Sequence, residues 1–286
     1  MWQGLHAELG PRGLAIVTVA LDTEGAEAAR PWIEAAKPEH PSLVDRAHVV
    51  DELFGIANVP SGVWIDEEGA IVRPPETAYP AHPNYGDRAI PPGASAREAA
   101  EIAEVRKLRT EPEAYVAALR DWVEHGARSR FVLPPGEVLR RSRPRPPEEA
   151  RAAAHFELGQ HLHRLGRAED AVRHFREAYR LQPDNWTYKR QAWDLLEPHR
   201  SPLEVYGGDW LTDVRKIGAE IDYPPLDLSG RRAQSVASAP LPGDQARQSR
   251  SRHPGRRPRP LPARPRLLPG DGPPPGRSQT PSRRDG

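Results

Sequence analysis

An α/β portion, then an all-α portion, then a disordered tail is the architecture that the sequence predicts, and three observations predict it. Residues 1–73 alternate short β-branched apolar runs with segments of helical period, the pattern of a sheet covered by helices. Residues 96–198 carry apolar side chains at helical spacing, punctuated by glycine and proline. Residues 229–286 hold 13 Arg, 3 Asp and 12 Pro, with no Lys, Glu or aromatic residue. So few large apolar groups cannot offset chain entropy, and that tail is expected to be disordered.

Each element has a local reason. Trp2, Leu5, His6 and Leu9 repeat at helical spacing, and Gly10-Pro11 stops that helix. LAIVTVAL, residues 14–21, reads as a strand buried on both faces. Asp22 and Thr23 offer a cap for a helix over residues 24–36, in which Pro31 marks a kink or break. SLVD, residues 42–45, is a second short strand. RAHVVDELF, residues 46–54, is a helix expected to turn Val49, Val50, Leu53 and Phe54 inward. Gly62 to Ile65 and Ala70 to Val72 are then joined through Asp66, Glu67, Glu68 and Gly69, the residue types that close a hairpin. Pro60 stands just before the first of these strands, which makes the Val59-Pro60 bond a candidate for the cis form. A central sheet is expected to hold these strands.

Composition excludes several functions. The chain has no cysteine, so it offers no disulfide, thiolate metal site or thiol nucleophile. The tail carries about +10, which against a total of +1 leaves residues 1–228 acidic. An arginine-rich tail without aromatic or lysine interleaving argues against nucleic-acid binding. No apolar run reaches membrane-spanning length, and MWQGLHAELG lacks the features of a signal peptide, so a cytoplasmic chain is expected. His6, His40 and His48 read as separate surface histidines without a base or nucleophile beside them. No cofactor is expected.

The order LAIVTVALD, SLVD, a helix ending in FGIANVP, then VWIDEEGAIV resembles the redoxin branch of the thioredoxin fold, the TlpA/ResA-like and peroxiredoxin-like (AhpC/TSA-like) proteins. The resemblance covers roughly residues 1–73, within a partial domain expected over residues 1–76, and implies a thiol-disulfide oxidoreductase with a substrate-contacting cis-proline loop at Val59 and Pro60. It also implies a cysteine or selenocysteine pair at the start of the first long helix. That position would lie upstream of Met1, so the domain reads as incomplete, a selenoprotein candidate, and inactive as encoded.

A proline-rich loop over residues 77–95 leads to a helical extension, residues 96–128. A basic, proline-rich linker with Arg140, Arg141, Arg143 and Arg145 is expected over residues 129–147. Residues 149–184 then resemble a tetratricopeptide repeat, with Leu158, Gly159, Leu162, Ala171, Phe175, Ala178 and Pro183 at the spaced positions of a 34-residue period. Gly159 and Ala171 are small enough for two antiparallel helices to approach, and Pro183 stops the second. A third helix over residues 185–196 should cap the repeat, completing a module over residues 148–198. Residues 199–228 should pack back on the body. His155, His161, His163 and His174 invite a metal reading, but their spacing completes no ligand set, and no metal is expected.

Two functions follow. One is a redoxin-family oxidoreductase without its redox residues, fused to a helical repeat and served by a redox partner protein when full length. The alternative is a non-catalytic adaptor that binds a protein or peptide through the repeat.

Overall fold

A computed structural model describes residues 1–142 and 145–228, all within one compact unit. The tail expected to be disordered lies outside the described residues, as do Arg143 and Pro144. The chain opens with α1 (Trp2–Leu9), β1 (Thr18–Leu21), α2 (Ala26–Ala36), β2 (Ser42–Asp45), α3 (Val49–Phe54), β3 (Ser61–Ile65) and β4 (Ile71–Thr77). It continues with α4 (Ala96–Val105), α5 (Pro112–His125), α6 (Pro135–Ser142), α7 (Pro147–Arg164), α8 (Ala168–Leu181), α9 (Trp186–Asp194), α10 (Pro202–Tyr206) and α11 (Trp210–Ile217).

Side chains fix several of these boundaries. Asp22 Oδ1 accepts from the Glu24 and Gly25 amides, so the turn after β1 closes before α2 begins. The Asp45 carboxylate accepts from the Ala47 and Val50 amides and starts α3. Ser95 and Glu98 form a reciprocal capping box on α4, Asn185 caps α9, and Asp209 caps α11. In the hairpin turn the Asp66 amide donates to the Ala70 carbonyl at 2.9 Å, and Gly69 takes φ +81°. Helix α2 runs through Pro31 without a break.

The expected single central sheet is absent among the described residues. β1 pairs with β2 in parallel, β3 pairs with β4 antiparallel, and the two pairs form separate sheets because no strand lies between them. The first strand is also shorter than the run LAIVTVAL, since only Thr18 to Leu21 find a partner in β2.

Two larger apolar cores follow, with a smaller cluster of Trp186, Val214 and Ala219 between α9 and α11. The first joins Leu5 and Leu9 of α1, Trp64 of β3, Val72 of β4, and Tyr115 and Leu119 of α5. Trp64 stacks on Trp122 with ring centroids 4.9 Å apart, and its indole N–H donates to the Tyr115 hydroxyl at 3.2 Å. Helix α5 therefore belongs to the core of the β3/β4 hairpin. The second core lies in the helical portion, between α7, α8, α9 and α10.

The expected basic linker is corrected at α6, a helix that follows a backbone bond from the Leu133 amide to the Val72 carbonyl. Glu137 pairs with Arg140 and with Arg141 at 2.6 Å, and Asp227 pairs with Arg141 at 2.8 Å, so two carboxylates face the two arginines of this helix. Those arginines hold the Glu137 carboxyl down at about 2.

Arg73 of β4 is fully buried. Its guanidinium donates to both Glu76 oxygens at 2.7 Å, to the Phe131 carbonyl at 2.8 Å and to the Asp227 carbonyl at 2.9 Å. One side chain thus ties the hairpin to the segment before α6 and to the C-terminal segment. Arg73→Met strands a carboxylate and two carbonyls, and urea denaturation should show a loss of about 3–5 kcal/mol. A loss below about 1 kcal/mol would contradict this role.

Candidate protein-docking site

Helices α7 and α8 form an antiparallel hairpin whose close approach depends on Gly159. A β-carbon there would stand 2.6 Å from the Phe175 ring. Leu162, Ala171, Phe175 and Ala178 are buried in the seam between the two helices, and Gly166 at φ +73° turns the chain from one to the other. Pro183 follows the end of α8 in the exposed turn before α9. Leu158 lies one turn before Leu162 on α7 but is 41% exposed, one turn from His161 and two from Leu165, which is 60% exposed. These residues make an open stripe along the outer face.

The inner face of the hairpin is covered. Phe156 of α7 stacks on Tyr188 of α9 at 4.2 Å, and the His48 ring meets Phe156 edge-on at 5.0 Å. Gln160 donates from Nε2 to Thr23 Oγ1 at 2.7 Å, and the Thr23 amide donates to Gln191 Oε1 at 2.9 Å. Tyr188 donates its hydroxyl to Glu52 Oε2 at 3.0 Å, and Arg145 also pairs with Glu52. Burial first, and then the Glu52 charge, push the Tyr188 phenol upward.

His48 and His40 are buried, not surface residues. His48 is held by hydrogen bonds rather than by apolar packing alone: Nδ1 faces Asp51 Oδ2 at 3.0 Å and Nε2 faces Gln191 Oε1 at 3.2 Å. Gln191 Oε1 is fixed as an acceptor by the Thr23 amide, so the ring lies between two acceptors. His40 packs edge-on against His6 at 5.7 Å. Helix α3 is correspondingly turned from the expected orientation: Asp51 is buried while Leu53 is 76% exposed. Hydrogen bonding to a buried carboxylate outweighs the apolar pattern there.

The Val59-Pro60 bond is cis. The Val59 carbonyl faces the Tyr223 hydroxyl at 3.3 Å and Arg190 Nη1 at 3.5 Å, its amide donates to Asn58 Oδ1, and the Pro60 carbonyl accepts from the Ala78 amide. Just before it, the Ala57 carbonyl accepts from the amides of Trp186 and Thr187, the first-turn donors of α9. The loop is therefore engaged by the helical portion of the same chain.

Beside it Lys189 is buried, with Nζ 3.0 Å from Asp213 Oδ2 and 4.4 Å from the Tyr179 ring centroid. Burial pushes the lysine down to about 8 and pushes the Asp213 carboxyl up. Both partners move toward neutrality, so desolvation outweighs their attraction. His155 of α7 and His174 of α8 meet with their Nδ1 atoms 2.9 Å apart. His161 and His163 join neither of them, and among the described residues no group of three or more His, Asp or Glu side chains converges as a metal cluster.

Sequence reasoning locates the hairpin and misses the inner seam. Asp51, Glu52, Gln160 and Gln191 are polar residues outside the apolar positions of their helices, and their partners, directly or through His48, lie far away in sequence, so no local signal marks them.

Two outcomes test this site. Gly159→Ala should cost about 1–3 kcal/mol in urea, against the gain of about 1 kcal/mol that helix propensity alone predicts. The His174 imidazole is held below its ordinary 6.5, first by burial and then by His155 and Arg173. The unfolded chain then binds more protons, so stability should fall as pH drops from 6.5 through the lowered value. His174→Gln should flatten that slope in melts between about pH 5 and 7; an unchanged slope would contradict it.

No helix among the described residues is long and apolar enough to cross a membrane. No curated protein and no solved structure matches this chain. Residues 152–185 match the family of the tetratricopeptide repeat, and they span the α7/α8 hairpin and the turn after it.

Proposed function

We propose that this protein is a non-catalytic adaptor that binds a protein partner through its helical repeat. The observation that carries the reading is the α7/α8 hairpin, which packs through Gly159, Ala171 and Phe175 and matches a repeat whose members generally mediate protein contacts. The outer stripe of Leu158, His161 and Leu165 supports it, because two leucines at i and i+7 lie there exposed, with a histidine at i+3 between them.

A photo-crosslinking residue placed at Leu158 or at Leu165 of the full chain should capture one and the same partner. The same probe at Trp32, which is 80% exposed on α2, should not. Capture through Trp32 alone would contradict the reading. Leu158→Asp with Leu165→Asp should leave the melting curve within about 1 kcal/mol of wild type and abolish capture.

One observation favours a second reading for the α/β portion, a redoxin-type scaffold. The parallel β1/β2 pair followed through α3 by the antiparallel β3/β4 hairpin has the element order of that fold, and a cavity of about 550 Å³ is lined by residues of β1, α1 and α2 with Val59. On this reading the portion is a scaffold without redox chemistry, since no thiolate is present. Insulin reduction by this chain should not exceed buffer, and activity above it would contradict the scaffold role.

A further inference from the structure

The seam between the two cores is polar. The first core gathers α1, the hairpin and α5, the second α7 to α10, and a smaller cluster of Trp186, Val214 and Ala219 joins α9 to α11 and Leu108, while none of the three includes a residue of α3. What joins α3 and its flanks to the helical portion is mainly a set of hydrogen bonds between Thr23, His48, Glu52 and Ala57 on one side and Gln160, Gln191, Tyr188 and the first turn of α9 on the other, beside the edge-on contact of His48 with Phe156. Interfaces of this composition resemble those between molecules that associate and part.

Two further features point the same way. Gln160 is fully buried, yet its Oε1 has no partner, so the contact is incompletely satisfied. Helix α3 turns Leu53 and Val49 to solvent in order to aim Asp51, Glu52 and His48 inward, the reverse of what a helix committed to a permanent core does.

We propose that the inner face made by Phe156, Gln160, Tyr188 and Gln191 is a receptor for an acidic peptide segment, and that residues 48–58 of this chain occupy it as a displaceable internal ligand. The inference rests on the adaptor reading and names the partner class and regulation of the repeat. The chemistry is read from the contacts: Tyr188 and Arg145 converge on the Glu52 carboxylate, Asn58 accepts from Arg190, and two helix-terminal amides take the Ala57 carbonyl. A partner would present the same groups, a carboxylate followed by an accessible backbone carbonyl. An occupied face lowers the apparent affinity for that partner by the fraction of chains in which the segment is released.

The test uses the full chain and a fluorescein-labelled peptide of residues 45–59, followed by fluorescence anisotropy. His48→Ala with Glu52→Ala loosens the internal ligand and leaves the receptor face intact, and it should bind the peptide at least about tenfold more tightly than wild type. Adding Tyr188→Phe and Gln191→Leu should remove that gain, and a peptide with Glu52→Gln should bind more weakly. A folded, loosened variant that binds no better than wild type would overturn the proposal, as would binding that survives loss of the face.

A second measurement covers the case in which the loosened variant does not fold. The chain has no cysteine, so Leu53→Cys and Leu165→Cys, both at exposed positions, accept one donor and one acceptor dye. Excess unlabelled peptide should lower energy transfer between them, and transfer unchanged at millimolar peptide would overturn the proposal. Partner capture at Leu158 without peptide binding would contradict the internal ligand alone, whereas peptide binding without any capture there would contradict the outer-stripe contact alone.

Discussion

A single helical hairpin has more apolar and polar surface than its two helices can cover for each other, and that deficit organises this protein. In an array the next repeat would supply the cover. Here α9 and α10 close one side of the second core, and α3 with the turn after β1 closes the inner face of α7. The result is a polar seam rather than a continuation of the core. Desolvated groups along it must find partners or cost stability, which is why Thr23, His48, Gln160 and Gln191 are bonded to one another across long stretches of sequence.

The same seam changes what the proline loop can do. Val59 and Pro60 sit where the resemblance to redoxins places a substrate-contacting loop, but their backbone groups are engaged by Asn58, Ala78, Tyr223 and Arg190. Helix α9 reads the adjoining Ala57 carbonyl with its first-turn amides, a use of helix-terminal donors that anchors the loop to the repeat. The loop is thereby held by the chain's own helical portion.

What the sequence makes legible are features whose cause is local. The α7/α8 hairpin follows from Gly159, Ala171 and Phe175 at fixed spacing, and the β3/β4 turn from Asp66 and Gly69. Features with distant causes are not legible. Val49 and Leu53 read as an inward face until the carboxylates of Asp51 and Glu52 find partners that lie more than a hundred residues away, directly or through His48. Helix α6 looks like a linker by its arginine and proline content, and Glu137 reverses that by pairing with two of the arginines. The single sheet expected from the order of strands gives way to two because pairing depends on a neighbour that the alternation of apolar residues does not specify.

The claim that the repeat holds the α/β portion through bonds across the seam is tested most directly by a double-mutant cycle on Thr23→Ala and Gln160→Leu. These side chains meet at 2.7 Å in buried surroundings, so their effects on unfolding free energy should be coupled by about 0.5–3 kcal/mol. Strict additivity of the two substitutions, with both single variants folded, would contradict the account.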